Sequence, residues 1–205
     1  MQPRGTRVIT DATKYRQYVN KCATYLETLG YNETLVNSID YLNTYKNKMG
    51  SDVENQLYTF QDKKGRDLCL RPEVTATFQQ LYTETEKDQK YWYFEKCWRY
   101  ERPQKGRYRE FYQLGVEIIN PSKDYTDELT ELAETLVRFV TSNYETNTSA
   151  KRGLSYYKDG QGFEITCPEL GAQKQVVGGG QYKEGIGFAI GVDRLLLTNH
   201  VIIQT

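Results

Sequence analysis

Arg99, Arg102, Lys105, Arg107 and Arg109 crowd into one short part of the stretch WRYERPQKGRYREFYQLGVE, which runs from Trp98 to Glu117. A guanidinium presents a planar fork of N–H donors that fits two phosphate oxygens, where lysine offers only a point charge. A cluster dominated by arginine can therefore grip a polyphosphate. It can equally be a solvated loop, because charge runs usually face water. The whole chain balances 27 basic against 27 acidic residues, so the excess is local. That balance argues against a general nucleic-acid coat, though not against a local site.

The segments that must position these cations flank them. Residues 91–99 (YWYFEKCWR) and 110–119 (EFYQLGVEII) can alternate, and a period of two sends every second side chain to one face of a strand. Tyr91, Tyr93, Glu95, Cys97 and Arg99 then share a face. On the second segment Gln113, Gly115 and Glu117 share one, opposite Leu114, Val116 and Ile118. The apolar set is expected to face a core. The other set is expected to line a surface with an amide, a bare backbone position and a carboxylate. Residues 91–119 are thus predicted to form an antiparallel hairpin with a long basic loop. Hairpin loops usually have about two to five residues, and longer ones are often functional.

The rest of the chain reads as an α+β unit. Tyr15, Tyr18, Val19, Cys22 and Leu26 recur at helical spacing between Asp11 and Leu29, and Gly30 is a stop signal. Segments 53–60 and 66–70 read as short strands about the turn Lys63-Lys64-Gly65. Pro72 is expected to open a helix through Gln79-Gln80. Residues 126–141 place Leu129, Leu132, Ala133, Leu136, Val137 and Val140 on one stripe, which is core packing. The polar residues 143–151 read as a link. Strands are expected at 153–157, 162–167 and 174–178, and a helix from about Val192. At 205 residues the chain can bury a real core as one domain.

Composition narrows the chemistry. No run of about 18 apolar residues is present to span a membrane, and MQPRGTRVITD lacks an apolar signal core. Cys22, Cys69, Cys97 and Cys167 are scattered without a CxxC pair and read as reduced thiols in a cytoplasmic setting. His200 is the single histidine, so histidine triads and multi-histidine zinc sites are unavailable. Catalysis falls to carboxylates, arginines, tyrosines or a hard metal.

The arginine-rich stretch also carries a resemblance. It is similar to motif 2 of histidyl-tRNA synthetase, a class II aminoacyl-tRNA synthetase, whose pattern FRxERPQxGRxRxFxQ is long and specific. Further blocks match in the family's order. Arg4-Gly5-Thr6-Arg7 resembles its N-terminal block. Tyr58-Thr59-Phe60 leads into Leu70-Arg71-Pro72-Glu73-Val74-Thr75, similar to LRPEGT. Arg152-Gly153-Leu154-Ser155-Tyr156-Tyr157 resembles RGLDYY. Gly187-Phe188-Ala189-Ile190-Gly191-Val192-Asp193-Arg194-Leu195 resembles motif 3, GFAxGxERL. The likeness runs from about residue 4 to residue 197. It implies a single class II catalytic domain over residues 1–205, an antiparallel β-sheet flanked by helices. It implies a ligase that joins histidine to ATP as histidyl-adenylate and transfers histidine to tRNA.

Residue by residue, the resemblance assigns roles. Arg99 matches the arginine on the α-phosphate, Glu101 the residue beside adenine, Arg107 the loop arginine on the outer phosphates, and Arg194 the arginine on the γ-phosphate side. Arg152 matches an arginine special to the family, near the α-phosphate where related enzymes use a metal. Arg99, Arg152 and Arg194 are the catalytic candidates, since charge builds on phosphate oxygens and fixed cations aimed there supply most of such catalysis. Glu117 and Tyr157 match the pair on the imidazole nitrogens. Glu73 and Gln113 match contacts to the amino acid backbone, and Thr75 a contact to the α-amino group. The face argument agrees, because Gln113 and Glu117 project together and a buried Glu117 needs a donor partner such as imidazole N–H. An apolar side chain would leave these groups unpaired, worth about 10⁴-fold in discrimination. Outside the motifs, Arg152 and Arg194 would read as surface ion pairs and Glu117 as a solvent-facing strand position. Gly178-Gly179-Gly180 either lets backbone approach a ligand or is a plain flexible turn. The resemblance further implies ATP as substrate with Mg²⁺, a homodimer, and tRNA as a partner through its acceptor end. No metal-ligating residue is assigned.

Departures qualify the likeness. The family's GGRYDG run reads GGGQYKEG, with Gln181 and Lys183 for an arginine and an aspartate. Ser155 stands for aspartate. Asn37, aligned by Glu33, stands for a proline at the dimer interface. Residues 142–151 bridge the place of an inserted helical domain, and only residues 200–205 follow motif 3. A catalytic core without insertion or anticodon-binding domains is expected, either a reduced natural enzyme or a cut-down one. Two functional classes stay open: a histidine–tRNA ligase-like enzyme, and a non-charging histidine-binding regulatory paralogue like the regulatory subunit of ATP phosphoribosyltransferase. The retained arginines favour the first. An adenylating enzyme that hands its amino acid to another acceptor is a third.

Overall fold

The alternating stretches on either side of the basic loop form two antiparallel ten-residue strands in the computed structural model, which describes residues 5, 7–46, 55–151 and 157–198. In chain order the elements are α1 (Thr13–Thr28), β1 (Asn32–Glu33), β2 (Ile39–Tyr41), α2 (Leu42–Lys46), β3 (Thr59–Gln61) and β4 (Asp67–Leu70). Then come α3 (Thr75–Phe78), β5 (Gln89–Trp98), β6 (Glu110–Ile119), α4 (Thr126–Arg138), β7 (Glu145–Asn147), β8 (Tyr157–Thr166), β9 (Gln175–Tyr182), β10 (Gly185–Gly191) and α5 (Val192–Leu195). Seven strands form the main sheet in the order β1-β5-β6-β10-β9-β8-β7. Every pair in it is antiparallel except β1 with β5, which is parallel. A smaller antiparallel sheet, β2-β4-β3, stands beside it.

The period of two makes the two faces of the main sheet different. One face carries Trp92, Leu114, Val116, Phe163, Ile165, Val177, Phe188 and Ile190, all buried. α1 covers it with Tyr18, Cys22 and Leu26, and α4 with Leu129, Leu132, Ala133, Leu136 and Val137. Burying a leucine-sized side chain contributes about 1.5–3 kcal/mol, so these stripes hold both helices in place. α1 ends as its sequence requires. Gly30, at φ 77°, lets its own N–H reach the Glu27 carbonyl and that of Tyr31 the Leu26 carbonyl, the paired bonds of a glycine-terminated helix.

The opposite face is built from small residues. Reading across the strands, one row is Tyr93, Gly115, Ala189, Gly178 and Glu164. The next is Tyr91, Glu117, Gly187, Gly180 and Gly162. The rows leave a trough along the sheet. The missing side chains are needed there, because neighbours cross over them. A Cβ at Gly115 would lie 2.1 Å from Cζ of Tyr93, and one at Gly187 would lie 1.9 Å from Oε2 of Glu117. α3 and the end of β9 close part of this face, with Val74, Phe78, Tyr93, Cys97, Ile119 and Tyr182 in a second buried cluster.

Several expectations change. The set Gln113, Gly115 and Glu117 does not line an open surface: Gly115 and Glu117 are fully covered, because α3 lies over their half of the sheet. The polar link at 143–151 contains β7, paired with β8 at the sheet edge. An exposed edge strand has no apolar face to betray it, and Thr146 is held instead through its Oγ1, which donates to Glu134 at 2.6 Å. Helix α3 starts three residues after Pro72 and is one turn long before a tighter turn at Gln79–Leu81. The glycine run 178–180 lies inside β9 rather than in a turn. The strands expected at 153–157 and 162–167 are one strand in the described part, with an irregularity between Tyr157 and Gly162. Strand β3 begins only at Thr59. Arg4, Thr6, Arg152, Ser155 and His200 lie outside the described residues.

Cys22, Cys69, Cys97 and Cys167 are all buried with free thiols. Among the described residues no helix is long and apolar enough to cross a membrane. The trough makes a steric claim that can be measured. Gly187→Ala is expected to destabilise the fold by about 1–3 kcal/mol through overpacking. Gly191→Ala, whose Cβ would meet nothing nearer than 3.9 Å, is expected to stay within about 1 kcal/mol of wild type. Denaturant unfolding of both variants checks the contrast, and equal losses would contradict it.

Candidate functional site

A cleft of about 410 Å³ opens on the trough face where β6, β9 and β10 meet the basic loop. Glu73, Thr75, Arg99, Glu101, Arg107, Gln113, Tyr157 and Arg194 all line it. Sequence reasoning therefore brought together residues spread over more than half the chain. Arg152 lies outside the described residues, and Glu117 sits directly behind the cleft wall, fully buried.

One end of the cleft is cationic. Arg99 follows β5, and its Nε donates to the Pro72 carbonyl at 2.8 Å while its guanidinium stands 5.4 Å from the centre of the Phe111 ring. Arg194 projects from α5, with Nε donating to the Gly106 carbonyl at 2.8 Å and Nη1 to that of Gln175 at 2.6 Å. One side chain thereby ties the basic loop to the start of β9. Burial lowers the pKa of Arg194; Glu101 opposes this, and the nearby charges of Arg107 and Arg99 add to it. Arginine stays charged regardless, so three like charges face one space. Glu101 answers them in an ion pair with Arg107. Such a place favours an anion of high charge.

The other end is a carboxylate held in a ring of hydroxyls. Oε1 of Glu117 accepts from Thr75 Oγ1 at 2.6 Å, and Oε2 from the Tyr182 hydroxyl at 2.8 Å. Burial pushes the Glu117 pKa up to about 8; the two hydrogen bonds restrain the rise and Glu73 adds to it. Glu73 itself is nearly buried and takes the Ala76 N–H at 2.9 Å, anchoring the first turn of α3. Cys97 Sγ lies 3.1 Å from Gln113 Oε1. With the thiol donating there, the amide N–H groups of Gln113 are left for the cleft.

The sequence motifs do not single out Tyr182, which lies in the buried cluster behind the cleft. In GGGQYKEG the conspicuous residues are the changed Gln181 and Lys183. Yet Gln181 points to the other face of β9, while the retained Tyr182 pairs with Tyr157 across the sheet and reaches Glu117. The available signal was parity, since Gly178, Gly180 and Tyr182 alternate onto one face. Asp193 has a supporting role. It accepts from the Tyr112 backbone N–H at 2.5 Å and the Tyr15 hydroxyl at 2.8 Å, and pairs with Arg7. Those bonds fix α5, and with it Arg194, against α1 and β6. Asn37 is exposed, and its carbonyl accepts from the buried Arg71 at 2.8 Å. No three His, Cys, Asp or Glu side chains converge on a metal position among the described residues.

The state of Glu117 can be read from stability. Unfolded, it titrates near its ordinary 4.5. From there up to about 8 the unfolded chain sheds a proton that the folded chain keeps. Stability therefore falls as pH rises through that window, by up to about 1.4 kcal/mol per pH unit. Glu117→Gln is neutral at every pH and is expected to flatten the fall. Unfolding both proteins at about pH 5 and about pH 8 tests this, and parallel losses would reject it.

The chain is similar to known proteins in sequence and in fold. A histidine–tRNA ligase of Methanosarcina acetivorans is 42% identical over 146 residues, covering 68% of this chain and 35% of that protein. The chain spans about a third of the length of this and similar curated relatives. The apo histidyl-tRNA synthetase of S. aureus shares the fold at a TM-score of 0.77 and 23% identity, over 96% of this chain and 69% of that one. An ATP phosphoribosyltransferase regulatory subunit/histidyl-tRNA synthetase from Bacillus halodurans C shares it at 0.78 and 15% identity, over 96% and 82%. The sequence model for histidyl-tRNA synthetase matches residues 8–125, more than half of the chain, which belongs to the histidyl-tRNA synthetase family.

Proposed function

We propose that the cleft activates histidine with ATP, forming histidyl-adenylate and pyrophosphate. The observation that carries this reading is the division of one cleft into a cationic end, with Arg99, Arg107 and Arg194, and an end lined by Glu73, Thr75, Gln113 and Tyr157 in front of Glu117. The histidine carboxylate attacks the α-phosphorus, and the bond to the pyrophosphate oxygen breaks. Negative charge grows on the phosphate oxygens as this happens, and fixed guanidinium groups stabilise it without reorganising. Arg99 serves the α-phosphate, Arg107 and Arg194 the outer phosphates, and Glu101 the adenine. Arg152 is assigned to the α-phosphate on the strength of its motif alone.

At the other end the amino acid backbone is held by Glu73, Gln113 and Thr75. Each oxygen of Glu117 accepts one bond and keeps a further lone pair, which an imidazole N–H can take, and Tyr157 serves the other ring nitrogen. Mg²⁺ arrives on the nucleotide in this reading, since hard cations bind polyphosphate oxygens and the described residues form no carboxylate cluster to hold one. Transfer of histidine to the tRNA acceptor end is the second step of the proposed reaction. The cytoplasm is the proposed setting, which the four free buried thiols support.

ATP–pyrophosphate exchange across the twenty amino acids tests the proposal. Exchange with histidine alone is expected. Arg99→Ala is expected to lower it by at least about 100-fold while leaving histidine affinity nearly unchanged. Normal exchange in that folded variant would sink the phosphate assignment. The likeness to the regulatory subunit/synthetase keeps a sensor as the second reading: histidine binding without any exchange would establish it.

A homodimer is part of the proposal. Leu35, Ile39 and Tyr41 are 83%, 48% and 50% exposed beside the small sheet, an apolar surface suited to a second copy. Light scattering at micromolar concentration is expected to give twice the chain mass, and a monomer mass would remove the dimer.

A further inference from the structure

The block Arg4-Gly5-Thr6-Arg7 has no part in the proposed reaction, and two of its residues, Gly5 and Arg7, are described. Both meet the basic loop. A Cβ on Gly5, at φ 88°, would lie 2.9 Å from Cγ of Pro103 and 3.2 Å from Cδ of Arg109, so bare backbone touches the loop here. The guanidinium of Arg7 lies over the Tyr108 ring, 3.8 Å from its centre, a cation against the negative face of an aromatic. The same guanidinium pairs with Asp193. Asp193 is held in turn by the Tyr15 hydroxyl of α1, which donates to it at 2.8 Å.

Packing from behind would not keep the loop in place. The two faces of the hairpin look into different spaces. Arg99, Phe111 and Gln113 turn to the cleft, whereas Trp98, Tyr100 and Tyr112 turn to a second hollow of about 590 Å³. Gly5, Arg7, Val8 and Ile9 line that hollow too. A loop backed by open space forfeits dispersion contacts there, so its position rests on the discrete contacts that reach it. Arg194 supplies one, through the Gly106 carbonyl at 2.8 Å. Arg7 supplies another, through Tyr108, which lines the cleft directly after Arg107. Asp193 directly precedes Arg194. One side chain thus holds the chain neighbours of two of the three cleft guanidinium groups.

We propose that Arg7 is a positioning residue for the polyphosphate, a strap that sets the spacing of Arg107 and Arg194 by holding Tyr108 and Asp193 at once. This rests on the reading of the cationic end as the ATP site. Arg7 acts through those two neighbours and touches neither substrate. The amino acid end, with Glu73, Gln113 and Glu117, shares none of these contacts, so the effect of losing Arg7 is one-sided.

Arg7→Met keeps the length of the side chain and removes its charge. In pyrophosphate exchange this variant is expected to raise KM for ATP about tenfold, with kcat within about threefold and KM for histidine unchanged. Arg7→Lys restores a cation but not the planar fork, and is expected to recover most of the loss. Trypsin reads the strap without activity: Lys105 and Arg107 are expected to be cut faster in Arg7→Met than in wild type. An unchanged KM for ATP, an equal rise in KM for both substrates, or equal cutting would overturn the proposal. Should Arg7→Met fail to fold, Arg7→Lys decides alone: a rise of about threefold confined to KM for ATP is expected, and wild-type behaviour or a rise for both substrates would overturn it. Wild-type protein without any exchange would remove the ATP reading and this proposal together, whereas wild-type exchange that Arg7→Met retains in full removes this proposal alone.

Discussion

Glu117 occupies the space that a side chain at Gly187 would fill, and the rest of the site depends on that close approach. The carboxylate lies flat over the neighbouring strand, within reach of Thr75 from one element and Tyr182 from another. Without the bare backbone of β10 it could not lie there, and the hydroxyls would have nothing to converge on. Gly115 plays the same part for Tyr93 one row away. The trough is thus an absence distributed over several strands. Its depth is set by register, because only an aligned row of small residues makes a continuous hollow.

The two ends of the cleft use different physics. At the cationic end, charges are left partly unanswered, and the scaffold bears their repulsion through fixed backbone contacts: Arg99 to Pro72, Arg194 to Gly106 and Gln175. At the other end a charge is suppressed by burial, and the hydrogen bonds around it are satisfied before any ligand arrives. Arg71 shows how the frame between them is made rigid. It is fully buried and gives its donors to the carbonyls of Val36, Asn37 and Lys96 and to Glu95. That ties the segment after β1 to β5, and Pro72 and Glu73 follow Arg71 directly in the chain.

Local periodicity made much of this legible. The hairpin at 91–119 follows from alternation, α1 and α4 from their stripes, and the cationic end from clustered arginines joined to distant motifs. What stayed hidden needed tertiary information. Alternation says that Gly115 and Glu117 share a face, but not that α3 covers it. β7 carries Glu145, Thr146 and Asn147, a polar edge that no hydropathy pattern distinguishes from a loop. Pro72 marks a boundary, yet its carbonyl is taken by Arg99 and the helix waits until Glu73 can cap it. Tyr182 was overshadowed by changed neighbours, because a motif compared letter by letter gives a substituted residue more notice than a kept one.

The pairing of Arg107 with Glu101 has a consequence for selection among anions. A guanidinium that already holds a carboxylate does not present its full field to solution, so a singly charged anion entering the cleft must displace a tethered competitor for one favourable contact. On the proposed reading a triphosphate would offer several charges at once and meet Arg99 and Arg194 in the same event. On that reading the pair would work as a valence filter: chloride and monophosphates would gain little by entering, whereas a ligand long enough to touch all three guanidinium groups would recover the energy of breaking it.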